Sequence, residues 1–263
     1  MDLTATLITV AAGVAMGAIN NVAGGAGVLG FMAFERFCGL PFDIANPSTR
    51  PGAVGVGIFA WLGYLRMGLR PESRAWRMGL IAMLGAICGV LIEAQRNEVL
   101  FRSYLAIVLL LLLIQQLKKA TTGLAPQRAW PPWATLLGSL LIGVHMGYVQ
   151  IGTGLMATFV LQATYSRDLV ATNVAKAAIV ILCSIASVAG FALEPWLHPE
   201  RAVVIAWVPA LWLALGTAFG SYFGSKWTVK NGKEAVKKVV VGVALLSLGD
   251  QLWHLVSLLR PGG

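Results

Sequence analysis

Apolar residues fill eight segments of the chain, at about 3–36, 46–65, 76–94, 99–117, 133–163, 169–193, 202–225 and 239–259. Each is long enough to cross roughly 30 Å of hydrocarbon as a helix. The polar positions gather between them. The interval 119–132, KATTGLAPQRAWPP, is a proline-bearing linker near the middle of the chain, and no interval is large enough for a soluble domain. This pattern predicts an all-α polytopic membrane protein. Two segments, 3–36 and 133–163, exceed the length of one crossing and hold residues a membrane helix avoids. The first carries NNVAGGAG from Asn20 to Gly27; the second carries Gln150, Gly152, Thr153 and Gly154.

Composition agrees with the pattern: of 263 residues, 57% are hydrophobic and 12% are charged. The formal net charge of +9 would suit nucleic acid, but the cations sit in short loops between apolar segments, where they report topology instead. The first residues, MDLTATLITV, lack a basic n-region and a small-residue cleavage site, and are read as mature chain. Cys38, Cys88 and Cys183 are scattered without metal-ligand spacing and are expected as free thiols.

The two halves resemble each other. Gly17, Gly25 and Gly27 in the first apolar segment correspond to Gly143, Gly152 and Gly154 in the fifth. Trp76 with Gly85 and Gly89 corresponds to Trp207 with Gly216 and Gly220 at identical spacing. Glycines four apart let helices approach closely in lipid. A duplication is therefore expected, with 1–118 as the first repeat and 133–263 as the second. Internal repeats of this kind are common in secondary transporters.

Charge fixes an expected topology. Arg66, Arg70, Arg74 and Arg77 form one basic loop; Lys226, Lys230, Lys233, Lys237 and Lys238 form another. The positive-inside rule places both in the cytoplasm. Five apolar segments lie between them, and five crossings cannot begin and end on one side. Segment 133–163 is therefore expected to be a re-entrant hairpin, and by the repeat so is 3–36. Each half then holds one hairpin and three membrane helices (46–65, 76–94 and 99–117; 169–193, 202–225 and 239–259). The odd number of crossings inverts the second repeat, and both termini fall outside. In this count Glu35, Glu93, Glu98, Arg102 and Glu194 are outer charges, and Arg50 and Lys176 remain inside apolar segments.

A cation within a membrane costs at least ~2.5 kcal/mol on insertion scales, so it has a partner or a task. Aligning Ala45 with Ala171 superposes Arg50 on Lys176. Asn46 and Pro47 read as an N-cap and first-turn pair, putting the Ser48 and Thr49 amides beside the Arg50 guanidinium. A helix N-terminus plus a guanidinium is an anion site. Thr172, Asn173 and Lys176 repeat the arrangement, and inversion would bring both cations to a central site. Arg50→Ala or Lys176→Ala is expected to abolish anion transport without loss of folded protein; snorkelling to headgroups is the alternative reading of both. Asn20, Asn21, Gly24, Gly25, Gln150, Gly152 and Thr153 either bind substrate or satisfy backbone groups freed by the breaks. His145, Asp250 and His254 are candidates for proton coupling, although Asp250 and His254, four apart, also read as a local helix pair. No catalytic cluster, metal-ligand set or nucleotide loop is evident, so neither an enzyme nor a cofactor is expected.

The pattern resembles the sulfite exporter TauE/SafE family of bacterial membrane transporters. The resemblance rests on Gly13 and Gly17, the run from Asn21 to Gly27, the stretch from Ala45 to Arg50, Gly85 and Gly89, and Gly143 with Gly152 and Gly154. It spans nearly the whole chain. It implies export of a small sulfur-containing anion, sulfite or an organosulfonate, across the bacterial cytoplasmic membrane, driven by a proton or ion gradient. The chain departs from the common pattern at Asn20 and Asn21, at Pro47 and Arg50, and in the second break, Gln150 to Gly154. The expected partners are that anion and the lipid bilayer, not nucleic acid, with a homodimer left open. A passive small-anion channel is the alternative to a transporter.

Overall fold

The computed structural model describes residues 1–20, 25–94, 97–117, 130–166, 168–197, 199, 204–231, 245, 248, 249 and 251–257. Among these, every regular element is helical. Ten helices run in order: α1 Leu3–Asn20, α2 Gly27–Phe37, α3 Phe42–Ser48, α4 Arg50–Leu65, α5 Ser73–Glu93, α6 Glu98–Leu117, α7 Pro132–Tyr148, α8 Thr153–Thr164, α9 Leu169–Leu197 and α10 Trp207–Asn231. Residues 251–257 are also helical.

Both long segments break where glycine and amide residues interrupt the apolar run. Segment 3–36 is α1 and α2, which pack on each other; segment 133–163 is α7 and α8, which do the same. Gly25 (φ 98°) and Gly152 (φ 88°) turn the chain in the left-handed region that glycine enters without a Cβ penalty. Gln150 also adopts a positive φ, 67°, but carries a side chain, so its neighbours must hold it there. The arms are unequal. At ~1.5 Å per residue, α1 is about 27 Å long and α2 about 16 Å. The helix α1 is long and apolar enough to cross a membrane by itself, as are α5 and Val170–Leu197 of α9.

The halves are interleaved. The first helix of each packs on a late helix of the other: α1 on α10, and α7 on α5. Both seams are made by glycines. A Cβ on Gly13 would overlap the Leu213 carbonyl, and one on Gly143 the Ala82 carbonyl. Reciprocally, Gly216 lies on the Val10 carbonyl and Gly85 on that of Leu140. Gly143 stands 130 positions after Gly13, and Gly216 stands 131 after Gly85. The seams therefore share one register, in which Gly143 takes the place of Gly13, and Gly147 that of Gly17. The sequence pairing of Gly17 with Gly143 is displaced by one helical turn.

The helices α4 and α9 cross at the centre, with Gly57 against Val180 and Ile181. Outward-facing positions are large and apolar on α5 (Leu80, Leu84, Ile87, Leu91), α6 (Leu100, Ile107, Leu110, Leu111) and α10 (Leu211, Leu215, Phe219, Phe223). Apolar faces this extensive require a hydrocarbon solvent. The chain is a membrane protein.

One local expectation fails. Asn46 does not cap a helix. The helix α3 begins earlier, with Pro41 as its N-cap, and passes through Thr49 directly into α4. The cause is the proline spacing. Pro47 and Pro51 have no N–H to give the Asp43 and Pro47 carbonyls, and the Thr49 N–H bonds Asn46 O at 3.1 Å, so the α-helical bonding is interrupted at Thr49 while its backbone stays in the right-handed helical region. Ser48 and Thr49 thus lie inside a continuous helical path. The counterpart is similar: Asp168 caps α9 through its Oδ2, 2.8 Å from Ala171 N, leaving Thr172 and Asn173 within the helix.

Several charges counted as outer loop residues are buried: Glu93 (3% exposed), Glu194 (4%) and Arg102 (2%). Arg102 donates to Glu35 at 2.6 Å, to Glu98 at 2.7 Å and to Gln251 at 3.1 Å, joining α2, α6 and the helical residues 251–257.

Candidate functional site

The second break is knitted together by Arg50. Its Nη1 donates to Met146 O at 2.7 Å and to Gln150 Oε1 at 3.0 Å; its Nη2 donates to Asn46 Oδ1 at 2.9 Å and to Tyr148 O at 3.0 Å. Met146 and Tyr148 are in the last turn of α7, whose carbonyls lack intrahelical donors and carry the negative end of the helix dipole. The guanidinium thus caps a broken helix, and its Cζ lies 5.4 Å from the centre of the Phe191 ring. Asn46 supports it, donating to Tyr148 O at 3.0 Å and Glu93 Oε1 at 3.1 Å. His145 spans the same break. Its Nε2 faces Ile151 O at 2.9 Å, so that nitrogen carries the proton, and Nδ1 accepts from the Tyr104 hydroxyl at 2.7 Å. A neutral imidazole makes both bonds.

The first break uses the same device in reverse. Lys176 of α9 donates from Nζ to Asn20 O, the last carbonyl of α1, at 3.3 Å. Each half therefore places a cation from its central helix on the C-terminus of the other half's broken helix. Among the described residues, Lys176 has no second acceptor within hydrogen-bond distance.

Between the two breaks lies a cavity of about 40 Å³. A single water needs roughly 10–15 Å³, so the space suits a compact anion or a few waters. It is lined by Asn20 and Gly27 from the first break, by Met146, Gln150, Thr153 and Gly154 from the second, by Ala53, Val56, Gly57 and Ala60 of α4, and by Asn173, Lys176, Ala177 and Val180 of α9. Gly27 and Thr153 are the first residues of α2 and α8. First-turn amides have no intrahelical acceptor, and the positive end of each dipole sits there. Two helix N-termini and one ammonium thus converge on one small space, a constellation that attracts anions. Asn173 is 4% exposed and its Oδ1 has no partner. Oδ1 of an amide is exchangeable with its NH₂ by a flip of the group, so Asn173 can offer either end to a ligand. Gln150 cannot: its Oε1 accepts from both Arg50 and Thr49 (3.3 Å), which leaves its NH₂ as the end available to the cavity.

Of the residues singled out in the sequence, the structure brings Lys176, Asn20, Gln150, Thr153 and Asn173 to this cavity. It places others behind or away from it. Arg50 is 1% exposed and absent from the lining, engaged with α7. Ser48 accepts the Ala206 N–H at 2.8 Å, Thr49 donates to Asn46 O, and Thr172 donates to Ser166 O at 2.9 Å. Gly25 and Gly152 shape the turns. His145 is committed to Tyr104 and Ile151. His254 lies in the helical residues 251–257, away from the cavity lining, and Asn21, Gly24 and Asp250 fall outside the described residues. Sequence reasoning missed Glu93, Tyr104 and Asn46 as an interlocked set. A carboxylate at the very end of an apolar segment was the available sign for Glu93; Tyr104 gave none.

Neither a curated protein nor a solved structure matches the chain. The family model described as "Sulfite exporter TauE/SafE" matches residues 9–249, a span that contains both breaks, the glycine seams and the cavity. The chain belongs to the sulfite exporter TauE/SafE family of membrane transporters.

Proposed function

We propose that this chain is a secondary transporter that exports a small sulfur-containing anion, sulfite or an organosulfonate, across the bacterial cytoplasmic membrane by alternating access, driven by a proton or ion gradient. The observation that carries this reading is the cavity where Lys176 and the N-termini of α2 and α8 meet. It would hold an oxyanion through the ammonium, the Gln150 and Asn173 amides and first-turn backbone N–H groups, while the Thr153 hydroxyl donates to Gln150 O at 2.6 Å and braces the break. All are donors or donor-capable, as charge-assisted anion recognition requires.

The shared seam register supports a duplicated architecture in which 1–118 and 133–263 are repeats joined by the linker 119–132. In this reading the repeats are inverted, each hairpin returns to the side it entered, and both termini are extracytoplasmic. Interleaved halves of this kind let one rock against the other around a fixed midplane site. Saturable flux with counterflow distinguishes this mechanism from a passive anion channel. The test is uptake into proteoliposomes of sulfite, sulfate, thiosulfate and small sulfonates, with and without a pH gradient. Saturable, gradient-dependent uptake of sulfite or a sulfonate is expected. No uptake of any of them would refute the assignment, and a unitary conductance would favour the channel.

A further inference from the structure

An outward-facing groove of about 460 Å³ runs between α4 and α10, on a surface the cavity does not reach. Phe59 and Leu62 of α4 and Leu215 and Phe219 of α10 line its length. Their spacing keeps them on one face of each helix. All four are exposed, which in a membrane protein means exposed to lipid tails. The groove ends at a different chemistry. There Arg66, which terminates α4, lies with its guanidinium 5.7 Å from the centre of the Tyr222 ring, and Lys226 holds Nζ at 4.3 Å from the same ring. Lys226 also donates to the Tyr222 hydroxyl at 3.2 Å. Among the described residues no carboxylate lies within 4.0 Å of either cation. Two cations therefore converge on a neutral phenol at the mouth of an apolar trough.

An apolar partner helix would cover the trough and leave these charges without a counter-ion. A soluble anion would match the charges and leave the trough empty. An amphiphile with an anionic head and a hydrocarbon tail matches both. We propose that the groove between α4 and α10 is a binding site for one anionic phospholipid, its phosphate held by Arg66 and Lys226 and an acyl chain lying along Phe59, Leu62, Leu215 and Phe219. Basic residues beside a membrane surface attract anionic lipid, and Arg adds a forked donor that matches a phosphate. Tyr222 keeps the two cations together in the absence of the headgroup.

The experiment is native mass spectrometry of the full chain released from nanodiscs of equimolar phosphatidylglycerol and phosphatidylcholine. One retained phosphatidylglycerol per chain is expected, in preference to phosphatidylcholine. The double variant Arg66→Gln/Lys226→Gln is expected to bind phosphatidylglycerol about thirtyfold more weakly, and Lys226→Gln alone about fivefold more weakly. Phe219→Ala is expected to weaken retention while keeping the preference for the anionic head. Equal retention of the two lipids, or unchanged retention in folded Lys226→Gln, would overturn the proposal. So would a lipid-independent dimer in which Phe219→Cys cross-links to its copy.

Discussion

At the second break, Arg50 of α4 reaches four acceptors between 2.7 and 3.0 Å; at the first, Lys176 of α9 reaches one described acceptor, at 3.3 Å. Both cations do the same elementary task, neutralising the carbonyl end of a helix that stops at a break in an apolar segment. The difference follows from the side chains. A guanidinium is a rigid fork that can join several acceptors at once, and it is spent in doing so. An ammonium is a compact charge with three donors, and Lys176 keeps the remainder of its donors on the cavity side. In the proposed function these related positions differ in role, Arg50 as a fastener and Lys176 as a ligand. Arg50 also acts on the site at one remove, by fixing the Gln150 amide with its NH₂ free.

The comparison yields predictions of decreasing size. Arg50→Ala would leave Met146 O and Asn46 Oδ1 buried without their donor, and would take one donor each from Tyr148 O and Gln150 Oε1. A loss of about 3–5 kcal/mol of stability is expected, as for breaking a buried ionic cluster. Thermal unfolding in detergent checks it, and an unchanged melting temperature would mean that the second break does not depend on Arg50. Next come the seams. Gly17→Val and Gly147→Val each force a Cβ against a facing backbone, at an expected cost of about 1–3 kcal/mol. Their shared register predicts similar costs; a loss at one position and none at the other, by the same melting measurement, would show that the two seams are not equivalent. The smallest effect is at the ligand end. Asn173→Ala removes one hydrogen-bonding group from the cavity, and a KM for the transported anion raised about fivefold is expected, with the melting temperature unchanged. A fall in stability with no change in KM would assign Asn173 to packing.

Much of this was legible in the sequence because the relevant signals are local. Asn20, Gln150, Gly25 and Gly152 stand out in an apolar run, and a lone Lys176 in a membrane helix has few bland readings. What was not legible depends on which surfaces meet. Two of the four acceptors of Arg50 are backbone carbonyls almost a hundred residues away, and a carbonyl has no sequence signature. The Asn46–Pro47 pair imitates a helix start, and only the earlier beginning at Pro41, with Thr49 in the right-handed helical region between α3 and α4, shows that the helical path runs on through it. Glu93 and Glu194 sit at the ends of apolar segments, where composition cannot separate a solvated charge from a buried one. The glycine seams were visible as spacings, but their partners, each in the opposite half, were not.

The central claim is that Lys176 is the cation of the anion site and Arg50 is its scaffold. The most direct test is initial sulfite uptake into proteoliposomes by Lys176→Gln, a substitution that removes the charge but keeps an N–H donor for the Asn20 carbonyl. The account predicts a protein that folds and melts like the parent and whose uptake is at least about tenfold lower. Parental uptake by a folded Lys176→Gln protein would contradict it.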